Sequence, residues 1–429
     1  MQRLDFSDAR HLVARSALGQ EWDIVDHLKG RSRADAVNIL LSRKENKTPA
    51  LPAMTPWNNI MKMSTHSHKG KRDARMQMGR ESVRLKQWWM HHLLTTKAPV
   101  QERMTIFWHN HFTSSFEKVQ QPKIMYMQNQ LLRENALGNF AVMLRKISRD
   151  PAMLVYLDGS LNKKGKPNEN FARELLELFT LGRGHYSEAD VKAAAIAFTG
   201  WGADRHQGKF VYNPAENEGK RVKFLNQWVQ TGDQVIDVLL KQHRTAEHIA
   251  EKFWHEFVSY HRPPAGVIRR WGNVFRASNY QITTLFKEVL NSNEFWDARY
   301  RGNLIKSPVD LVIGTLRALP YPRPAVDELV RTSQLLGQDL LDPPSVKGWT
   351  GGKQWIDTQT LLVRTSLLNR LTRHTKASAH VEKKLPNTKD GEEVVNWLLP
   401  RKPSLSLPTT PGKLRLVKAL VLDPTYQLK

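Results

Sequence analysis

The chain has 429 residues, 40% of them hydrophobic and 25% charged, enough to bury a sizeable core and too apolar for a disordered tail. It contains no cysteine. That excludes disulfides, thiolate zinc sites, iron–sulfur clusters and cysteine nucleophiles, and leaves His, Asp, Glu and Asn as candidate metal ligands. Lys and Arg number 65 against 41 Asp and Glu, a formal charge of +24, so attraction to polyanions or acidic surfaces is expected.

Helical periodicity runs along the whole sequence and strand alternation is rare, which predicts an all-α fold. The expected architecture is a large multi-helix single domain with irregular basic loops and one short hairpin. Its main body spans 1–372, a basic linker spans 373–391, and C-terminal helices over 392–429 dock back on the same domain. Met1 to Gly19 carries Asp5, Asp8 and Arg10 in a helix-like pattern and has no signal-type apolar stretch, so it reads as the first helix, with the cytoplasm as default compartment. No apolar run approaches the ~20 residues of a membrane span.

Farther along, Ser64 to Arg84 is rich in His, Lys, Arg and Met and reads as mobile or exposed, as does Arg373 to Gly391. Pro99 opens a helix whose stripe is Val100, Met104, Phe107 and His111. Gly138 breaks the next region, and Asn168 to Gly182 is a third helix ended by Leu181-Gly182. Ser187 and Asp190 have the spacing of a capping box. Ala203 to Gln230 is irregular, with a hairpin around Phe210, Val211 and Tyr212, and Ala246, Ile249, Ala250, Phe253 and Phe257 mark another helix face.

Stepping about 100° per residue along Asn168 to Gly182 separates an apolar face (Phe171, Ala172, Leu175, Leu176, Leu178, Phe179) from a polar one. Asn170, Glu174 and Glu177 follow i, i+4, i+7 on the polar face. Such a stripe suits a divalent cation or an acid/base pair; it equally suits a solvated face with Glu169–Arg173 and Arg173–Glu177 ion pairs. His109 and His111 point about 200° apart on one helix and cannot both chelate one ion within it. His111 belongs to the apolar stripe, so His109 is the candidate for chemistry.

Gly159 to Pro167 misses a phosphate loop, with five residues between its glycines and Pro167 where the hydroxyl should be. Lys163, Lys164 and Lys166 nevertheless precede a helix start that could receive an anion, although a solvated loop is the simpler reading. Trp201 reads as a plug over a helix end. Trp349 and Trp355 stay open between plug and stacking surface, and Pro343 to Gly352 is a glycine-rich loop of the length that lines sites.

WHNHF at Trp108 to Phe112 and NENFARELLELFTLG at Asn168 to Gly182 resemble a bacterial family known as domain of unknown function 1800. HLVARSALG at His11 to Gly19, DPAMLVYLDG at Asp150 to Gly159, DVKAAAIAFTGW at Asp190 to Trp201, KSPVDLVIGTLRAL at Lys306 to Leu319, PPSVKGWTGGKQW at Pro343 to Trp355 and DPTYQL at Asp423 to Leu428 extend the likeness over essentially the whole chain. The resemblance implies no assigned activity, frequent export, which makes the periplasm the alternative compartment, and a sulfatase-like neighbouring protein as partner. The chain departs from the family pattern after Trp201, where Asn213 to Leu225 reads NPAENEGKRVKFL in place of a His-Asp pair before a Gly-Lys step.

The leading expectation is a polar pocket walled by the WHNHF helix, the NENFARELLEL helix and the GWTGGKQW loop. In it, hydrolytic or transfer chemistry on an anionic substrate would use His109, Arg173, Glu174 and Glu177, with Asn168, Asn170, Trp349 and Trp355 binding substrate. The cofactor stays open: a divalent metal, if there is one, would sit on Glu174, Glu177 and His109. The competing classes are a non-catalytic polyanion or nucleic-acid binder and an accessory subunit or chaperone of a neighbouring enzyme.

Overall fold

Side-chain caps set where the helices begin. Asp5, Ser32, Asn139, Asp150, Ser187, Thr231, Ser307 and Asp357 each accept a first-turn amide, relieving donors that have no intrahelical partner. The pair expected at Ser187 and Asp190 is a complete capping box, and Ser307 with Asp310 makes another. The computed structural model describes residues 3–43, 45, 49–64, 67–373, 378–385, 391–408 and 412–429. Among these are 23 α-helices and four short strands, so the all-α expectation holds.

The two stripes read from the sequence meet in the core. Helix Pro99–His111, opened by Pro99, packs against helix His243–Phe257 through Phe107 and Phe253, whose ring centroids lie 5.1 Å apart. Trp89, Trp108, Trp254, Trp271 and Trp397 are fully buried in one continuous apolar cluster. The first helix, Phe6–Ser16, runs into Gly19 at φ 82°, where a Cβ would meet the Gly314 Cα at 2.7 Å. That close backbone approach seats helix Pro308–Ala318 against the chain start. The far end of the chain returns to the same place: Trp397 Nε1 donates to the Gln20 carbonyl at 2.7 Å, and Lys306 N donates to the Gln427 carbonyl at 2.7 Å. No helix is long and apolar enough to cross a membrane among the described residues.

Three local expectations change. Ser64 to Arg84 is exposed along most of its described length, as expected, but it is also mostly helical: Ser67 caps a helix spanning His68–Thr95, and the buried Glu81 accepts from Thr55 Oγ1 at 2.9 Å and Gln77 Nε2 at 2.6 Å. A few inward residues anchor a segment whose composition is basic and polar; Thr65 and His66 lie outside the described residues. In the basic stretch 373–391, Ser378–Lys384 is helical, while 374–377 and 386–390 lie outside the described residues. Ala203 to Gln230 holds two hairpins. Strand Trp201–Asp204 pairs antiparallel with Lys209–Tyr212, as expected around Phe210, and Val222–Phe224 pairs with Gln227–Val229. The second turns at Leu225 and Asn226, both at positive φ, a two-residue geometry for which Leu is an unusual choice and so leaves little sequence signal.

The Asn168 to Gly182 helix is also shorter and less regular than its periodicity implies. It is α-helical over Asn170–Glu174 and a π-helix over Leu175–Thr180. One wider turn rotates everything after Glu174 relative to a 100° wheel.

One buried carboxylate joins three helices. Glu102 accepts from Arg133 Nη2 at 3.0 Å and Trp89 Nε1 at 3.4 Å, and His92 Nε2 lies 3.1 Å away. Its ionisation is opposed by burial and favoured more strongly by Arg133 and His92, which together bring it down to about 2. A depressed carboxylate contributes stability above its unfolded value near 4.5 and loses it as pH falls toward 2. Glu102→Gln is expected to lower unfolding free energy by roughly 3–5 kcal/mol at neutral pH, because Arg133 stays buried without its partner. The gap to wild type narrows between pH 4.5 and 2 in urea titrations; a pH-independent gap contradicts this account.

Candidate functional site

A cavity of about 70 Å³ opens beside the C-terminal half of helix Pro99–His111. Arg103, Phe107 and Asn110 form one wall, and Ser307, Val309 and Asp310, from the start of helix Pro308–Ala318, form another. His255, Glu256 and Tyr260 come from the end of helix His243–Phe257 and the turn after it, Trp349, Gly351 and Trp355 from the glycine-rich loop, and Lys429 closes the floor. Two walls are therefore the expected ones, the WHNHF helix and the GWTGGKQW loop. The third is not: no residue of the Asn168 to Gly182 segment lines this cavity.

Asn110 latches the loop to the helix. Its Oδ1 accepts from the Trp349 amide at 2.6 Å. The approach is possible only because Gly348 has no side chain, since a Cβ there would lie 2.1 Å from Asn110 Oδ1, and because its φ of 84° belongs to the left-handed region. Trp349 and Trp355 are both buried in the wall, and the Trp349 indole N–H has no partner among the described residues.

The charged wall is balanced internally. Arg103 contacts the Asp310 carboxylate and reaches Glu256 Oε1 at 2.6 Å, and Lys429 Nζ lies 2.6 Å from Asp310 Oδ2. Arg103 and Lys429 outweigh the burial that opposes ionisation of Asp310, holding it well below the usual carboxylate range. Tyr260 is pushed up to about 12 by burial and then by Glu256. His255 Nδ1 donates to the Ser259 carbonyl at 3.2 Å. Burial holds its imidazole below the usual histidine range despite the pull of that carbonyl. Hydrogen bonding to that carbonyl places a ring proton on Nδ1.

The residues singled out from sequence are dispersed around this cavity. His109 is fully buried, with neither ring nitrogen hydrogen-bonded among the described residues, edge-on to Trp89 at 5.3 Å and 5.6 Å from the Trp349 ring. Burial brings it down to about 4, and Asp342 opposes this. His111 is the buried, hydrogen-bonded histidine expected: its Nε2 donates to the Phe179 carbonyl at 3.2 Å, and His248 Nε2 donates to Leu178 at 3.0 Å. Both rings thus cap carbonyls at the end of the π-helix.

On the polar helix face, Arg173 pairs with Glu169 at 2.9 Å, as anticipated, and with Glu188 at 2.7 Å rather than with Glu177. Glu177 accepts from Tyr186 OH at 2.7 Å. Burial, and then the Glu177 charge, raise Glu174 above the usual carboxylate range. Asn170 Nδ2 donates to Asp158 Oδ2 at 3.1 Å, and Asn168 Oδ1 caps the Asn170 amide at 2.9 Å. Among the described residues no group of three or more His, Asp or Glu side chains is placed to hold a metal ion, so His109, Glu174 and Glu177 do not form one ligand set. In the Gly159 to Pro167 loop, Lys163 pairs with Glu216 at 2.7 Å and the Gly165 amide donates to Glu218 at 2.6 Å. Protein carboxylates already take those donors. Trp201 packs against Phe198 and Phe210 under the Arg149 guanidinium, in agreement with a plug.

Sequence reasoning missed Arg103, His255, Tyr260 and Asp310. Asp310 carried a signal, the Ser-x-x-Asp spacing at Ser307, which marks a helix start without revealing a second use for the carboxylate. Removing the latch tests the pocket's closure: Asn110→Ala is expected to cost about 1–3 kcal/mol, since it leaves the Trp349 amide without an acceptor. It should also speed hydrogen exchange at that amide and raise tryptophan quenching by acrylamide. Gly348→Ala should do the same by steric exclusion. Unchanged exchange in both variants excludes the latch.

No curated protein and no solved structure matches the chain. The family model described as protein of unknown function, DUF1800, matches residues 11–428, and the chain belongs to that family.

Proposed function

We propose that the protein binds a compact polar molecule in the Asn110–Trp349 cavity and acts on it by hydrolysis or group transfer, with His255 as proton acceptor. The observation that carries this reading is the state of His255. With Nδ1–H committed to the Ser259 carbonyl, Nε2 is the basic nitrogen of a pocket-lining ring, the arrangement a general base requires. Asn110, Gln338 and Ser307 add hydrogen-bonding groups to the wall, and Trp349 and Trp355 add apolar surface. A few placed polar groups among aromatic side chains are the usual makeup of a small-molecule site.

This reading moves the proton-transfer role from His109, Glu174 and Glu177 to a residue at the cavity. Turnover of chromogenic carboxylate, phosphate and sulfate esters by the full chain tests it. His255→Gln should lower kcat by roughly 10²–10⁴, while Glu174→Gln and His109→Gln stay near wild type. Loss in Glu174→Gln with retention in His255→Gln would return the chemistry to the acidic helix, and no turnover of any ester class by the wild-type chain overturns the catalytic part.

A further inference from the structure

A second cavity, of about 700 Å³, shares no lining residue with the Asn110–Trp349 cavity. It opens where four helix ends converge: the start of helix Trp22–Leu28, the end of His68–Thr95, the start of Pro99–His111 and the last turn of Pro308–Ala318. Arg43, just past helix Arg33–Ser42, and Arg323, from the loop after Ala318, complete the wall. The volume falls within the roughly 300–1,000 Å³ usual for small-molecule sites.

Arg317 is the buried member of the lining. Its side chain is 5% exposed, and its guanidinium is held by two carbonyls and a carboxylate. Nη1 donates to the Leu93 carbonyl at 3.1 Å, and Nη2 donates to the Thr96 carbonyl at 3.0 Å and to Glu21 Oε1 at 2.6 Å. The carbonyls belong to the end of helix His68–Thr95 and the residue after it, where the helix dipole favours a cation. Nε is buried with no hydrogen-bond partner among the described residues. A buried N–H donor left over in a lining side chain is costly until something accepts from it, and a ligand in the cavity can.

The lining carries more cations than acids. Arg43, Lys97 and Arg323 join Arg317 there, and none of these three is paired with a carboxylate among the described residues. Glu45, two residues past Arg43, is engaged elsewhere: Oε1 accepts from the Lys97 amide at 2.5 Å, and Oε2 lies 3.8 Å from His92 Nε2. The two carboxylates that do line the cavity, Glu21 and Asp23, both come from the start of helix Trp22–Leu28. Glu21 is taken by Arg317, and Asp23 has no cation partner among the described residues. Counted with histidine neutral, four cations stand against two carboxylates. The apolar part of the lining is Ile24, Leu94 and Pro99, and among the described residues no Phe, Tyr or Trp contributes to it.

We propose that this cavity binds a phosphorylated sugar or polyol. A phosphomonoester carries nearly two negative charges at neutral pH, which matches the excess of cations. The forks of Arg43 and Arg323 and the ammonium of Lys97 suit its oxygens. Hydroxyls on the rest of the molecule are donors, and Asp23 and Glu21 are acceptors for them that a site for a bare anion would not need. With no aromatic ring in the lining there is no stacking platform for a nucleobase. The site has no residue in common with the catalytic reading of His255 and stands or falls separately from it.

Isothermal titration calorimetry of the full chain with glucose 6-phosphate and with glycerol 3-phosphate, at low and at physiological ionic strength, tests it. One site per chain is expected for at least one of the two, weaker at the higher salt. Arg43→Gln and Arg323→Gln should each weaken it roughly tenfold. Asp23→Ala should narrow the preference for the sugar phosphate over orthophosphate, because it removes a hydroxyl acceptor and eases repulsion of the phosphate. His255→Gln and the exposed-site control Arg299→Gln should leave binding unchanged, and AMP should bind more weakly than the better of the two probes. Arg323 is exposed in a loop, so its variant keeps the test decisive if Arg43→Gln fails to fold by circular dichroism. Absence of a saturable site for both probes, unweakened binding in Arg323→Gln, or orthophosphate or AMP binding as tightly as the better probe overturns the proposal.

Discussion

The carboxylate of Asp310 holds together parts of the chain that are remote in sequence. It completes the capping box of helix Pro308–Ala318 through the Ser307 amide, and it takes Arg103 from helix Pro99–His111 and Lys429 from the end of the chain. All three charged groups are buried. Each would be costly alone, and their mutual attraction in a poorly polarisable interior offsets that cost only while all are in place. The cavity exists because this junction sets the spacing between two helix ends, and the glycine-rich loop then covers the gap.

Charge is balanced at that junction and less so just beyond it. Around Asp310 the charges balance, so the cavity wall offers paired groups and the imidazole of His255. One residue before Ser307 the pattern changes: Lys306, like Arg10 in the first helix, is buried with no carboxylate paired to it among the described residues. The net charge of +24 therefore has a buried component, distinct from the basic surface segments where composition alone would place it.

The NENFARELLEL helix has a different place in this arrangement. Its polar face is engaged by Glu188, Tyr186 and Asp158, and its π-turn presents carbonyls that His111 and His248 cap. The segment ties WHNHF to helix His243–Phe257, which carries His255 at its end. Its specificity of sequence is explained to that extent by packing, since a π-turn must be met by donors at the right positions.

Locally encoded features were legible in the sequence alone. Pro99 as a first helical residue, the Ser187–Asp190 box, the apolar stripes of Phe107 and Phe253 and the burial of His111 each depend on neighbours within a turn or two, where backbone geometry fixes what a side chain can reach. WHNHF and GWTGGKQW were expected to wall one pocket, and the hydrogen bond from the Trp349 amide to Asn110 brings the two segments together. The sequence could not show which side chains those segments face. His109 looked available and is sealed between two tryptophans, while Asp310 looked like a cap and is also a charge hub. The π-turn after Glu174 shifted a wheel that assumed even steps. The state of Arg10 and Lys306 lies beyond any local rule, because whether a buried charge is neutralised depends on every group that the tertiary fold brings within a few ångströms, and that sum is decided only when the chain has closed on itself.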